Sequence, residues 1–161
     1  MDIDDILKML DWNNDLDIQR EGRRKAANVK CLNAFMQPAD KEFNKNVGEN
    51  CAMILSEKED ELLTPYLFNL LDWLYDLNYP GATIILERLR KYQNYKMLAM
   101  VLENRIVVAN ALENESWLLS LAEVLISDEV KKNLSDNSYQ IIKPYLDELY
   151  NENLTIGAVW K

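Results

Sequence analysis

Apolar residues recur at three- and four-residue spacing through most of the chain, the pattern of helices that bury one face. The clearest stretch is Thr64–Leu86, TPYLFNLLDWLYDLNYPGATIIL, in which Leu67, Leu70, Leu71, Leu74 and Leu77 form one stripe. Thr64 suits an N-cap, and Pro65 suits the first helical position, where its missing N–H leaves no donor unpaired. Asn78 tolerates the left-handed conformation that ends helices, and Pro80 can open the next one. The spacing therefore predicts a helical hairpin turning within LNYP, whose second helix carries Ile84, Ile85 and Leu89 inward.

The same pattern extends to both sides. Residues 2–12 read as a short helix with Ile3, Ile6, Leu7 and Leu10 on one face and Trp12 at its end. After the polar corner Asn13–Asp15, a helix is expected over Leu16–Phe35, with a neighbour crossing closely at Gly22, because a mid-helix glycine costs about 1 kcal/mol against alanine. Residues 36–46 read as the longest loop, Asn46–Glu57 as a helix, and SEKEDE at 56–61 as a solvated connection. Lys96–Leu112 is apolar over nearly its whole circumference, which predicts a helix central to the core. Helices at 115–127, 128–134 and 138–151 complete the reading, with LTIGAVWK as a tail lying against them.

An internal echo links the two halves. Ser56–Leu71, SEKEDELLTPYLFNLL, aligns with Ser135–Tyr150, SDNSYQIIKPYLDELY, each keeping Ser, an apolar pair and Pro-Tyr-Leu. Half of the 79-residue shift between them is close to the ~40 residues of a two-helix HEAT-type unit. The fold expected is all-α, a short HEAT-like superhelix of about seven to eight helices forming a single domain over 1–161, in line with a chain this long.

Composition agrees with that class. Four glycines and four prolines leave little turn material for a β-sandwich, and 48% apolar residues can build a core. Net charge is −9 with no histidine, so the charge changes little between about pH 6 and 8. Such a balance disfavours nucleic acid phosphates and anionic lipid, and favours a basic protein partner. Acidic residues stand at the N-terminus where a secretion signal needs positive ones, and no apolar run reaches the ~20 residues of a membrane span. Cys31 and Cys51 are too few for a disulfide framework and lack companions for a metal site. A cytoplasmic location is the expectation.

Candidate chemistry is sparse. Without histidine, Ser–His and Cys–His nucleophile arrangements cannot be assembled. The carboxylates Asp72 and Asp76 lie one turn apart on a helix edge, and Glu57, Glu59, Asp60 and Glu61 lack the glycine turn and alternating ligands of a calcium loop. Both read as solvated charge. No phosphate-binding glycine loop appears, and no cofactor or metal is expected. The basic run Arg20, Arg23, Arg24, Lys25 and Lys30 reads as a solvated helix face. More informative are the aromatics, which supply binding hot spots. Trp73 and Asp76 flank Leu74 and Leu77, so the rim formed by Asp72, Trp73, Asp76 and Tyr79 is the candidate partner surface.

Several motifs resemble a family of small bacterial HEAT-like helical-repeat proteins. They are Phe35–Met36–Gln37–Pro38, Lys45–Asn46–Val47, Glu49–Asn50–Cys51–Ala52, Pro65–Tyr66–Leu67 and the run Leu71–Ala82 with its W-L-x-D-x-N-x-P-x-A pattern. The resemblance covers about residues 2–92, and departs at Gly48 and Tyr79, where the family pattern has tryptophan. It implies a helical fold without catalysis. Similar proteins are encoded as immunity partners of secreted bacterial toxins or as stand-alone repeat proteins. The expected function is a non-catalytic protein-binding module, an immunity protein covering a basic toxin domain, with a HEAT-like scaffold or adaptor as the alternative.

Overall fold

The computed structural model describes residues 2–37, 45–125 and 127–159, with side chains up to residue 153. Among them every regular element is helical, and contacts divide the chain into two compact units, Met1–Lys91 and Tyr92–Lys161. Shorter segments replace several of the long helices that the periodicity predicts.

The first unit begins with α1 (Ile3–Met9) and α2 (Leu16–Ala26), which cross at Gly22. A Cβ there would stand 2.9 Å from that of Met9, so the small residue is what lets the two helices meet. The helix expected to continue to Phe35 stops at Ala26, and the chain turns and forms a separate 3-10 turn at Leu32–Phe35. Leu32 and Phe35 remain fully buried, which explains why their spacing imitated one continuous stripe.

What ends α2 is the ammonium of Lys58, donated to the carbonyls of Ala26, Ala27 and Val29 at 3.3, 2.6 and 3.2 Å. Carbonyls at a helix C-terminus have no partner within the helix and carry negative partial charge, so a cation there satisfies both demands. Residues 56–61 are therefore not the plain solvated connection expected: Lys58 is buried, and Asp60 pairs with Arg88 at 2.5 Å. Burial holds the Lys58 pKa below the usual lysine value, with the Glu57 carboxylate opposing the shift.

A second buried polar group ties α2 to α3 (Gly48–Ser56). The Asn50 amide donates to the Leu10 carbonyl at 2.7 Å and to Gln19 Oε1 at 2.8 Å, and its oxygen accepts from Arg23. Gln19 in turn donates to the carbonyls of Trp12 and Asn14. Each buried donor has an acceptor, so the network fixes the α1–α2 corner without an unpaired group.

The central hairpin is built from α4 (Asp60–Leu63), a 3-10 turn at Thr64–Tyr66, α5 (Leu67–Trp73) and α6 (Ala82–Arg90). Thr64 is not an N-cap. Its hydroxyl donates back to the Asp60 carbonyl at 2.8 Å, because α4 already precedes it and Pro65 only tightens the path into α5. The left-handed residue of the corner is Gly81 (φ +84°) rather than Asn78.

In the second unit α7 (Tyr95–Ala111) packs against α8 (Glu115–Val124), α9 (Asp128–Lys131) and α10 (Asp136–Val159). Asn94 and Asn114 cap α7 and α8 by accepting the N–H groups of Met97 and Trp117. Leu98, Leu102 and Ile106 of α7 are buried, as are Leu118 and Leu121 of α8 and Ile142 of α10. Met100 and Val107, apolar as they are, point outward, so α7 is central to its unit without being enclosed on every side. The last helix is longer than expected, and its backbone carries the tail as far as Val159.

The sequence echo has a partial structural counterpart. Leu63 and Leu67 are buried in the first unit, and Ile142 and Leu146 occupy the matching buried positions in the second. Pro65 sits at a break between helices, whereas Pro144 lies inside continuous α10.

Replacing Lys58 by methionine keeps the apolar stem and removes the cation. Urea unfolding of Lys58→Met is expected to show a loss of about 2 kcal/mol, the range for hydrogen bonds from a charged donor.

Candidate interaction surface

The four residues singled out by sequence lie along α5 and the corner that follows it, and the structure separates them. Trp73 is in the core, 1% exposed, not on the rim. Its indole N–H donates to the Pro80 carbonyl at 3.1 Å, which closes the corner from within. The reason is geometric: α5 ends at Trp73, so the residues after it no longer follow the helical wheel on which its rim position was counted.

Tyr79 is half-buried, and its hydroxyl donates to buried Gln37 at 2.9 Å. Desolvation raises its pKa, with a smaller contribution from Cys51. Asp72 is half-buried and Asp76 exposed. One Asp76 carboxylate oxygen accepts the Asn78 N–H at 2.9 Å, a local turn that prepares the chain for Pro80.

The corner itself is held against α3 by two glycines. A Cβ on Gly81 would stand 2.5 Å from the Ala52 Cβ and 2.7 Å from the Gly48 carbonyl oxygen, and one on Gly48 would stand 2.9 Å from the Pro80 oxygen. Gly48 therefore cannot be read as a position awaiting tryptophan: the backbone at Pro80 and the Tyr79 ring occupy the space. Tyr66, from the Pro-Tyr-Leu motif, accepts the Leu32 N–H at 3.2 Å, and Phe35, Met36, Val47, Cys51 and Ala52 are buried. Most of the distinctive motif residues build the core of the first unit.

A family model described as a domain of unknown function, DUF5071, matches residues 44–153. The chain belongs to the DUF5071 family. The matched segment runs from the approach to α3 into α10, and so crosses from the first compact unit into the second. Neither a curated protein nor a solved structure matches the chain.

With Trp73 inside, the large apolar side chains left exposed there are Phe68 of α5, 42% exposed, and, just past its end, Tyr75, 54% exposed. Sequence reasoning passed over Phe68, although its position on the polar side of the leucine stripe was a readable signal. Among the described residues no cluster of carboxylates or cysteines could hold a metal ion, and no helix is long and apolar enough to cross a membrane. The basic run of α2 is largely answered within its own helix, Arg20 by Asp17 and Arg24 and Lys25 by Glu21.

Cys31 is exposed, while Cys51 is buried beside the corner and burial pushes its pKa up to about 12. In the native state a colorimetric disulfide reagent at pH 8 should titrate one thiol promptly and the second only when denaturant is added. A raised pKa also means that the neutral thiol contributes stability below the unfolded value near 9, lost as pH rises toward 12. Between those limits Cys51 should lower stability by ~1.4 kcal/mol per pH unit, a slope that Cys51→Ala removes in urea titrations.

Gly81→Ala combines a left-handed backbone with a steric clash, each costing about 1–3 kcal/mol. A loss of about 3 kcal/mol or more is expected in thermal unfolding, and a change below about 0.5 kcal/mol would show that the corner relaxes freely.

Proposed function

We propose that this protein is a non-catalytic, cytoplasmic protein-binding module with a HEAT-like helical architecture, and that it serves as an immunity protein binding a basic toxin domain. The observation that carries this reading is a charge pattern. From Glu59 to Glu87 the chain holds six carboxylates and no lysine or arginine. That run contains α4, α5 and the corner, and the two large aromatics it exposes most, Phe68 and Tyr75, belong to the same segment.

An immunity protein covers a surface and needs no reacting group of its own. An acidic, aromatic-bearing surface favours a basic partner twice, through steering of the encounter and through aromatic hot spots in the final contact. A toxin that holds phosphates in a basic cleft would present the matching charge. Asp72, Asp76 and Tyr79 stay in the proposed contact region, and the buried Trp73 leaves it. A stand-alone scaffold for a different protein partner is the second reading, favoured by the Pro-Tyr-Leu segment that recurs in the second unit.

Co-expression with the products of adjacent reading frames tests the choice. Recovery of a neighbouring basic protein at one-to-one stoichiometry, with inhibition of its toxicity, is the expected outcome. Neighbours that neither bind nor harm the cell, together with capture of an unlinked partner, would move the assignment to a scaffold.

A further inference from the structure

Apolar side chains scattered singly over a surface need no partner, but those of α7 are not scattered. Lys96, Met100, Asn104, Val107 and Ala111 lie within one uninterrupted α-helix, and at 3.6 residues per turn they share an arc of about 80°. All five are exposed, Met100 at 58% and Val107 at 46%, while Leu98, Leu102, Ile106 and Ala109 are buried in the core of the second unit.

The same stripe is where negative charge is missing. The chain carries −9 overall, yet Glu103 is the single carboxylate of α7, and it is half-buried and accepts the Ser135 N–H. Charge returns at the two ends of the helix. Lys96 stands in its first turn and Glu113 follows the cap at Leu112. Both are exposed, and among the described residues neither forms an ion pair. Each is set against the dipole of its own helix, positive at the N-terminus and negative at the C-terminus, so helix stability does not account for their placement.

We infer that this stripe is an interface for a second copy of the chain, with two α7 helices packed antiparallel about a two-fold axis that passes near residues 103 and 104. About that axis Met100 of each copy meets Val107 of the other, and Lys96 meets Ala111, with Glu113 about 3 Å further along. The Lys96 ammonium then lies at the negative end of the facing helix, beside its Glu113 carboxylate. Two charges that oppose their own helix thus complement the helix of the other copy. Copies of an acidic chain repel wherever carboxylates face each other, and a helix without an exposed carboxylate removes that repulsion from the centre of the contact. One helix per copy is a small contact, so association in the micromolar range is expected. The pairing goes beyond the immunity reading, whose surface belongs to the first unit, and neither depends on the other.

Sedimentation equilibrium of the full chain, from low to high micromolar concentration, tests it. A reversible monomer–dimer equilibrium is expected. Val107→Glu sets a carboxylate against Met100 of the other copy and should weaken association roughly tenfold or more. Its melting temperature, measured at dilutions where both proteins are monomeric, should match that of the unaltered chain. Lys96→Glu and Glu113→Lys should each weaken association about threefold or more, and the double exchange Lys96→Glu/Glu113→Lys should restore it, because each position faces the other across the axis. A chain that stays monomeric, a dimer indifferent to Val107→Glu, or a double exchange without recovery would overturn the pairing. A monomer that instead loses a different protein partner through Val107→Glu would overturn it as well.

Discussion

The first unit depends on a place where no side chain can be. At Gly81 the backbone takes a left-handed turn directly against α3, with the Gly48 carbonyl and the Ala52 methyl inside the volume that a Cβ would need. That approach lets Trp73 reach across the corner to the Pro80 carbonyl and lets α6 pack along α3. It also encloses Cys51, whose thiol loses water and with it its acidity. The chemistry of the thiol and the course of the chain thus have one steric origin.

Because the distinctive motif is largely consumed in packing, the surface has to be sought among residues that the motif leaves outside. The tryptophan that drew notice as a binding residue supports the fold, and the less conspicuous Phe68 and Tyr75 face solvent. A cation-free stretch of this length gives that face a sign as well as a shape. The description of the DUF5071 family, to which the chain belongs, assigns no reaction.

The all-helical class, the placement of most helices and the close crossing at Gly22 were legible in the sequence, because apolar periodicity and small residues report directly on burial. Helix ends were less so. The stretch from Leu16 to Phe35 kept its apolar spacing across a break, since Leu32 and Phe35 serve the same core from a separate turn. Lys58 was hidden in a run of charge, and only the folded chain brings the end of α2 to it. Of the rim residues, the edge position expected for Asp72 and Asp76 agrees with one being half-buried and the other exposed, while Trp73 was misplaced by extending a helical wheel beyond the residue at which the helix ends. The expected loop over 36–46 lies mostly outside the described residues.

The buried ammonium of Lys58 carries a consequence for how the molecule breathes. A helix end normally frays turn by turn, each step exposing one more peptide group to water. Here the last carbonyls of α2 share one donor with Val29, and the peptide of that donor is held in turn by Arg88. Opening the end of α2 strands a charged group in the interior unless the connection before α4 moves with it. Segments some thirty residues apart in the chain are thereby joined into a single cooperative opening event, and the end of α2 lacks the independent mobility usual for a helix terminus.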